Sequence, residues 1–259
     1  MDDVQNQKDY REIKIQQTGV NNVCLPFFVL GQRVQAFIKF TVSLDARRRG
    51  THMSRLIEIL TNWTNKEIDM RGVESILNEA IDKLNTDAAH IKIDFKYFVE
   101  RQAPISGKKS LLDIDCCFDA ALYKGQEMDF TLGLNVPLTT LCPCSREISD
   151  FGAHNQRSIC RVKIQLDNES NAINIDNIAK LIEAQASSPI YPLLKREDEK
   201  FVTEHAYDNP KFVEDILRDV VIAIRQIKGI LSFSVECENF ESIHNHNAVA
   251  GFQCTLKKK

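Results

Sequence analysis

Hydrophobic spacing runs twice through the same cycle along this chain. In the first half, QRVQAFIKFTVSL (Gln32 to Leu44) alternates at the two-residue period of a strand. MSRLIEILTNWTN then places Leu56, Ile59, Leu60 and Trp63 on one helical face, and GVESILNEAIDKLN does the same with Val73, Ile76, Leu77, Ala80, Ile81 and Leu84. Two strand-like runs follow, AHIKIDFKYFVE and SLLDIDCCFDAAL. The second half repeats the order with different letters. EMDFTLGLNVPL and SICRVKIQLD read as strands, NIDNIAKLIEAQAS as a helix, and ILSFSVECENF and GFQCTLKK as closing strands. Between them, NPKFVEDILRDVVIAIRQI gives the clearest helical pattern. Asn209 suits its N-cap, Pro210 its first turn, Val213, Ile216, Leu217, Val220, Ile224 and Ile227 its apolar face, and Gly229 its stop.

Each half therefore reads strand, strand, helix, helix, strand, strand. This predicts an α+β chain of two tandem ββααββ modules, residues 1–125 and 126–259, with antiparallel sheets and helices on one face. No Pro/Gly/Ser linker separates the halves, so one bimodular unit is expected, its broad sheet closed by association with another copy. Hydrophobic residues make up 43% of the 259, enough for a sizeable core. Lys plus Arg number 33 against 36 Asp plus Glu, which gives no electrostatic footprint for nucleic acid. The start, MDDVQNQKDYREIK, is polar, and no apolar run is long enough for a bilayer. A soluble, cytoplasmic chain with reduced cysteines is the expectation. Of the eight, Cys116, Cys117, Cys160, Cys237 and Cys254 fall in apolar or alternating segments and read as small buried hydrophobes.

Leu141 to Ser158, LCPCSREISDFGAHNQRS, does not read as core. Cys142 and Cys144 flank a proline, and His154 follows twelve residues after Cys142. A structural zinc clip usually has a second close ligand pair, and a redox pair is usually C-x-x-C; neither is present. A catalytic metal needs only three protein ligands and an open position. Either cysteine with His154 supplies two. Leu193 to Pro210 offers Glu197, Asp198, Glu199, Glu204 and His205 as a third, although REDEK also reads as a solvated charge run. Near the end, ESIHNHNA puts His244 and His246 on alternate positions, where an extended segment would turn both to one side. Glu214 could simply pair with Arg218 along its helix.

Together, LCPCSREISDFGAHNQRS, SSPIYPLLKREDEKFVTEHAYDNPKFVED, ESIHNHNA and GTHMSR closely resemble the type IB GTP cyclohydrolase I family, over about Gly19 to Thr255. That resemblance implies the tunnelling fold, whose subunits are tandem ββααββ modules with a barrel completed by oligomerisation. It implies a homotetramer with active sites at subunit interfaces. The implied reaction takes GTP and water to 7,8-dihydroneopterin triphosphate and formate, the first step of tetrahydrofolate synthesis. Cys142, His154 and Glu199 are implied as ligands of a divalent metal, a mixed donor set that accepts Mn²⁺, Fe²⁺ or Zn²⁺. Glu214 is implied to anchor guanine through N1–H and N2–H. His244 and His246 are implied to move protons, and Cys144 to sit by the metal without ligating it, contacting the purine or supporting the site.

The triphosphate needs cations, and Arg47, Arg48, Arg49, His52, Arg55, Lys195 and Arg196 are candidates, with Arg55 and Lys195 preferred. An archaeal-type relative that forms a cyclic-phosphate dihydroneopterin is the nearest alternative. A purine- or metal-binding scaffold without turnover and a structural-zinc oligomerisation protein are the others.

Overall fold

The alternating run from Gln32 to Leu44 forms the second strand of the first hairpin. In the computed structural model, which describes residues 3–167 and 174–256, β1 (Ile15–Val29) pairs antiparallel with β2 (Gln32–Leu44). Leu30 and Gly31 both take positive φ, 46° and 81°, as a two-residue turn matched to strand twist requires. Every second residue of β2, from Val34 to Leu44, is buried. Next come α1 (Met53–Trp63), the two-residue β3 (Glu67–Ile68) and α2 (Met70–Leu84). The Asp69 side chain caps α2 by accepting from Gly72 N at 2.8 Å, and Asn85 ends it in the left-handed region. The chain continues through β4 (Ala88–Gln102), β5 (Lys109–Tyr123), β6 (Asp129–Leu141), α3 (Pro143–Ile148) and β7 (Asn155–Leu166). Then follow α4 (Ile175–Glu183), β8 (Ser188–Pro189), α5 (Arg196–Asp208), α6 (Val213–Ile224), β9 (Ile230–Asn239) and β10 (Ala248–Thr255).

The strands hydrogen-bond in the order β10-β9-β7-β6-β5-β4-β2-β1-β3, with β8 added to β6, ten strands in all. The long hairpins are antiparallel, as expected. The exception is β3, which meets β1 in parallel over two residues. Two compact units emerge. The first comprises Met1–Lys96 and Cys116–Leu132, the second Tyr97–Asp115 and Gly133–Lys259. In the first unit α1 packs on α2 and β1, and Leu56, Ile59, Leu60, Val73, Ile76 and Leu77 are buried with Ile38, Phe40, Ile91 and Ile93. In the second, α6 packs on β9, β10 and α4. Ile182, Ile216, Val220 and Ile224 are buried there with Val162, Ile164, Phe233 and Val235.

Several local expectations are corrected. The last long helix begins at Val213, not at Pro210. Asn209 instead ends α5, and its amide donates to Ala186 O at 2.8 Å, so it is spent on the preceding turn. Asp215 caps α6 by accepting from Phe212 N at 3.1 Å. The helix stops at Ile224, and Gly229 takes its positive φ, 80°, just before β9. Arg218 pairs with Asp215 at 3.4 Å rather than with Glu214. REDEK, read as a solvated charge run, opens α5 and is exposed except at Asp198. Of the cysteines read as core, Cys116, Cys160 and Cys237 are buried, whereas Cys117 and Cys254 are half-buried.

Candidate active site

The turn after β6 folds back on itself through its own backbone. Cys142 is the N-cap of α3, with Pro143 in the first helical position, where its missing N–H costs nothing. Cys142 Sγ accepts from Ser145 N at 3.5 Å. Cys142 N donates to the His154 carbonyl at 3.1 Å, and His154 N donates to Ser145 Oγ at 3.2 Å. Gly152, at φ 108°, allows the intervening chain to turn back. Twelve residues of sequence are thereby closed, and Cys142 and His154 are brought side by side. Cys144, one residue into α3, is exposed.

The His154 side chain is only 16% exposed, and its Nδ1 is the engaged nitrogen. Gln156 Oε1 lies 3.0 Å from Nδ1, Ser242 Oγ 3.4 Å and Glu241 Oε2 4.0 Å. Histidines that ligate metals characteristically commit one ring nitrogen to such an acceptor and leave the other for the ion. A half-buried thiol beside a histidine so arranged suits a borderline divalent cation. A third donor does not join them: among the described residues no group of three or more His, Cys, Asp or Glu stands together as a metal cage.

The α5 stretch sorts its carboxylates by face. Glu197 and Glu199 are exposed in the first turn, and Asp198 between them is buried. Asp198 accepts from Ile105 N and Ser106 N at 2.8 Å each, Ser106 Oγ at 2.6 Å and Lys195 N at 2.9 Å. Burial pushes its carboxyl up, but these four donors outweigh it and hold the group well below the usual carboxylate range. Asp198 is therefore a structural anchor. Glu204 pairs with Lys200 at 2.7 Å, and the His205 ring stacks on Phe201.

Glu214 sits exposed in the first turn of α6. His244 and His246 are exposed in the loop between β9 and β10, which is not extended. They share a side nonetheless, because their rings stack 5.1 Å apart with 16° between planes. Lys195 is the exposed N-cap of α5. In the first unit, Arg55 is exposed and donates to Lys83 O at 3.1 Å, Arg48 donates to Leu84 O, and Arg49 to Gln7 Oε1. Each thus spends at least one N–H on the protein. Gln156, Glu241 and Ser242 were not singled out from the sequence. Gln156 did carry a signal, since it holds an inward position of β7 where alternation calls for an apolar residue.

The sequence profile of the family described as type I GTP cyclohydrolase folE2 matches residues 1–250. The GTP cyclohydrolase FolE2 of Syntrophotalea carbinolica is 48% identical over 255 residues, which cover 96% of this chain and 94% of that protein. The protein of the same name from Geobacter sulfurreducens is 44% identical over 263 residues, covering all of both chains. Among solved structures, uricase from Arthrobacter globiformis superposes with a TM-score of 0.58 over 94% of each chain at 7% identity, a likeness of fold alone. With a family match over nearly its full length and relatives this similar end to end, the chain belongs to the type I GTP cyclohydrolase FolE2 family.

Proposed function

We propose that this chain acts as GTP cyclohydrolase I, converting GTP and water to 7,8-dihydroneopterin triphosphate and formate at the head of tetrahydrofolate synthesis. The observation that carries the reading is the family match from residue 1 to 250, which includes every residue named in the site. Cys142, His154 and Glu199 are assigned as ligands of Mn²⁺, Fe²⁺ or Zn²⁺. The adjacency of the first two and the engaged Nδ1 of His154 support the assignment. When bound, the cation supplies Lewis acidity toward water near neutral pH. The protein's own groups do the rest. The Glu214 carboxylate accepts from guanine N1–H and N2–H. His244 and His246 deliver and remove protons at N7 of the opening ring, which histidine can do in both directions. Cys144 contacts the purine, and Arg55 and Lys195 hold phosphate oxygens.

A homotetramer with interface sites accounts for two further observations. Ile148 and Phe151 stand 83% and 99% exposed beside the Cys142 turn, and β10 ends the sheet order with an unpaired edge. Among the described residues no helix is long and apolar enough to cross a membrane, and the cytoplasm is assigned as the site of action.

Anaerobic turnover tests the reading. Chelator-stripped protein is restored separately with each metal, given GTP, and assayed for formate and product mass. Metal-dependent formate with dihydroneopterin triphosphate is expected. A cyclic phosphate would move the chain to the archaeal-type reaction, and a folded protein releasing no formate with any metal would overturn catalysis. Bound metal measured by elemental analysis should fall to near zero in Cys142→Ala and persist in Cys144→Ala, while both lose turnover. Equal metal retention in the two would overturn the assignment of Cys142.

A further inference from the structure

The buried faces of β6, β7 and β9 turn polar at one end. Thr140 on β6, Gln156 and Ser158 on β7, and Asn239 on β9 are all less than a tenth exposed. Leu138, Cys160, Val162 and Cys237 continue the same faces with ordinary apolar side chains. Buried polar groups are tolerated when paired, so their partners reveal their use. Here the four form a single chain. Ser158 Oγ donates to Asn239 Oδ1 at 2.7 Å, across directly opposed positions of the β7–β9 ladder. Having given its proton, Ser158 Oγ accepts from Thr140 Oγ1 at 2.9 Å. Thr140 Oγ1 in turn accepts from Gln156 Nε2 at 2.7 Å.

That direction is the one consistent with the Glu241 carboxylate beside His154 Nδ1, since the chain run in reverse would set an amide N–H against Nδ1 and leave Glu241 facing no donor. With Nε2 on Thr140, Oε1 is the atom 3.0 Å from His154 Nδ1. A carbonyl oxygen can only accept, so Nδ1 must carry the proton. Glu241 reinforces this, because its Oε2 lies 4.0 Å from the same nitrogen, is buried, and has no hydrogen-bond partner of its own. A neutral imidazole protonated at Nδ1 has its lone pair on Nε2. An apolar residue at 156 would pack as its neighbours do. Glutamine instead uses both ends of its amide, one on the buried chain and one on the histidine.

We infer that Gln156 is a positioning residue: the buried chain Asn239–Ser158–Thr140–Gln156 fixes His154 as its Nδ1–H tautomer and so presents Nε2 as a donor to a divalent cation. The inference rests on the assignment of His154 as a metal ligand. Outer partners of this kind set ring orientation and basicity, and their loss typically weakens metal binding by about 10- to 100-fold.

The test uses the full-length, metal-free protein, labelled with ¹⁵N-histidine for NMR and titrated separately with Co²⁺ alone. In the wild type, His154 should show a single Nδ1–H, pyridine-type Nε2 pattern. Gln156→Leu should replace it with a tautomer mixture and lower Co²⁺ affinity by about 10- to 100-fold. Gln156→Glu, which still accepts from Nδ1–H, should restore the pattern and most of the affinity. If Gln156→Leu keeps both wild-type tautomer and affinity, or if a folded Gln156→Glu is no better than Gln156→Leu, the inference is wrong. Should Gln156→Leu fail to fold, Thr140→Val takes its place, because it frees the Gln156 amide to turn over. An unchanged tautomer and affinity there are equally fatal. His154→Ala separates the two levels: full Co²⁺ affinity in that variant removes the ligand assignment, while the tautomer pattern still judges the chain.

Discussion

Three adjacent carboxylates on α5 show how much a single position decides. Glu197, Asp198 and Glu199 are alike as letters, but only Asp198 turns inward, where four donors from two segments converge on it. By residue chemistry alone all three were equal candidates for the metal, and only the family resemblance favoured Glu199. The information that separates them lies at Ile105 and Ser106, more than ninety residues away. Because the folded carboxyl sits below its ordinary value of about 3.9, the sign of its pH effect follows. Its contribution to stability is fully present above that value, erodes as pH falls below it, and is lost once pH has passed the depressed folded value. Comparing urea midpoints of wild type and Asp198→Asn across pH should give a constant gap from neutrality down to about pH 4 that narrows below it. A gap that widens on acidification would contradict the hydrogen-bonding account.

Elements were legible where burial imposes a period and illegible where other forces set it. Strands β2, β4, β5, β6, β7 and β9 and helices α1, α2, α4 and α6 each bury one face, so alternation or helical spacing locates them. Helix α5 buries only Asp198 and Ala206 of its 13 residues, which leaves no apolar stripe to read. Its charge run therefore reads only as a solvated stretch. The start of α6 was misplaced because Asn-Pro is good capping chemistry, but the Asn209 side chain is claimed by Ala186. Within the second unit, β4 is tied to α4 by charge. Arg101 donates to Glu183 at 3.0 Å and Asp176 at 2.6 Å, with Arg101 and Glu183 both 5% exposed. Burial pushes the Glu183 carboxyl up, and Arg101 draws it only partly back. Arg101→Ala should therefore cost about 3–5 kcal/mol in chemical denaturation, because Glu183 is left buried and unpaired. Arg101→Met with Glu183→Leu should cost clearly less. Equal losses in the two would mean that packing rather than the stranded charge sets the cost.

For the whole molecule, the repeated cycle was the most durable signal. The fold it specifies superposes on uricase at only 7% identity. The site was legible only in part, since sequence distance hides what the β7–β9 ladder brings together. Phe151 and Ile148 are exposed, and the proposed homotetramer would cover them with a second copy. Light scattering of Phe151→Glu should accordingly show a smaller assembly with reduced turnover. A variant that keeps the wild-type mass and rate would remove this face from the interface.

The Ser158–Asn239 bond has a consequence in time. It joins residues 81 apart, with α4, α5 and α6 in the intervening chain. Closing so long a loop costs entropy before any contact rewards it, whereas the helices need only local contacts. The buried polar chain behind His154 should thus mature late during refolding. Stopped-flow recovery of Co²⁺ absorbance should lag the return of helical ellipticity, and simultaneous recovery of the two signals would show that ladder and helices form in one step.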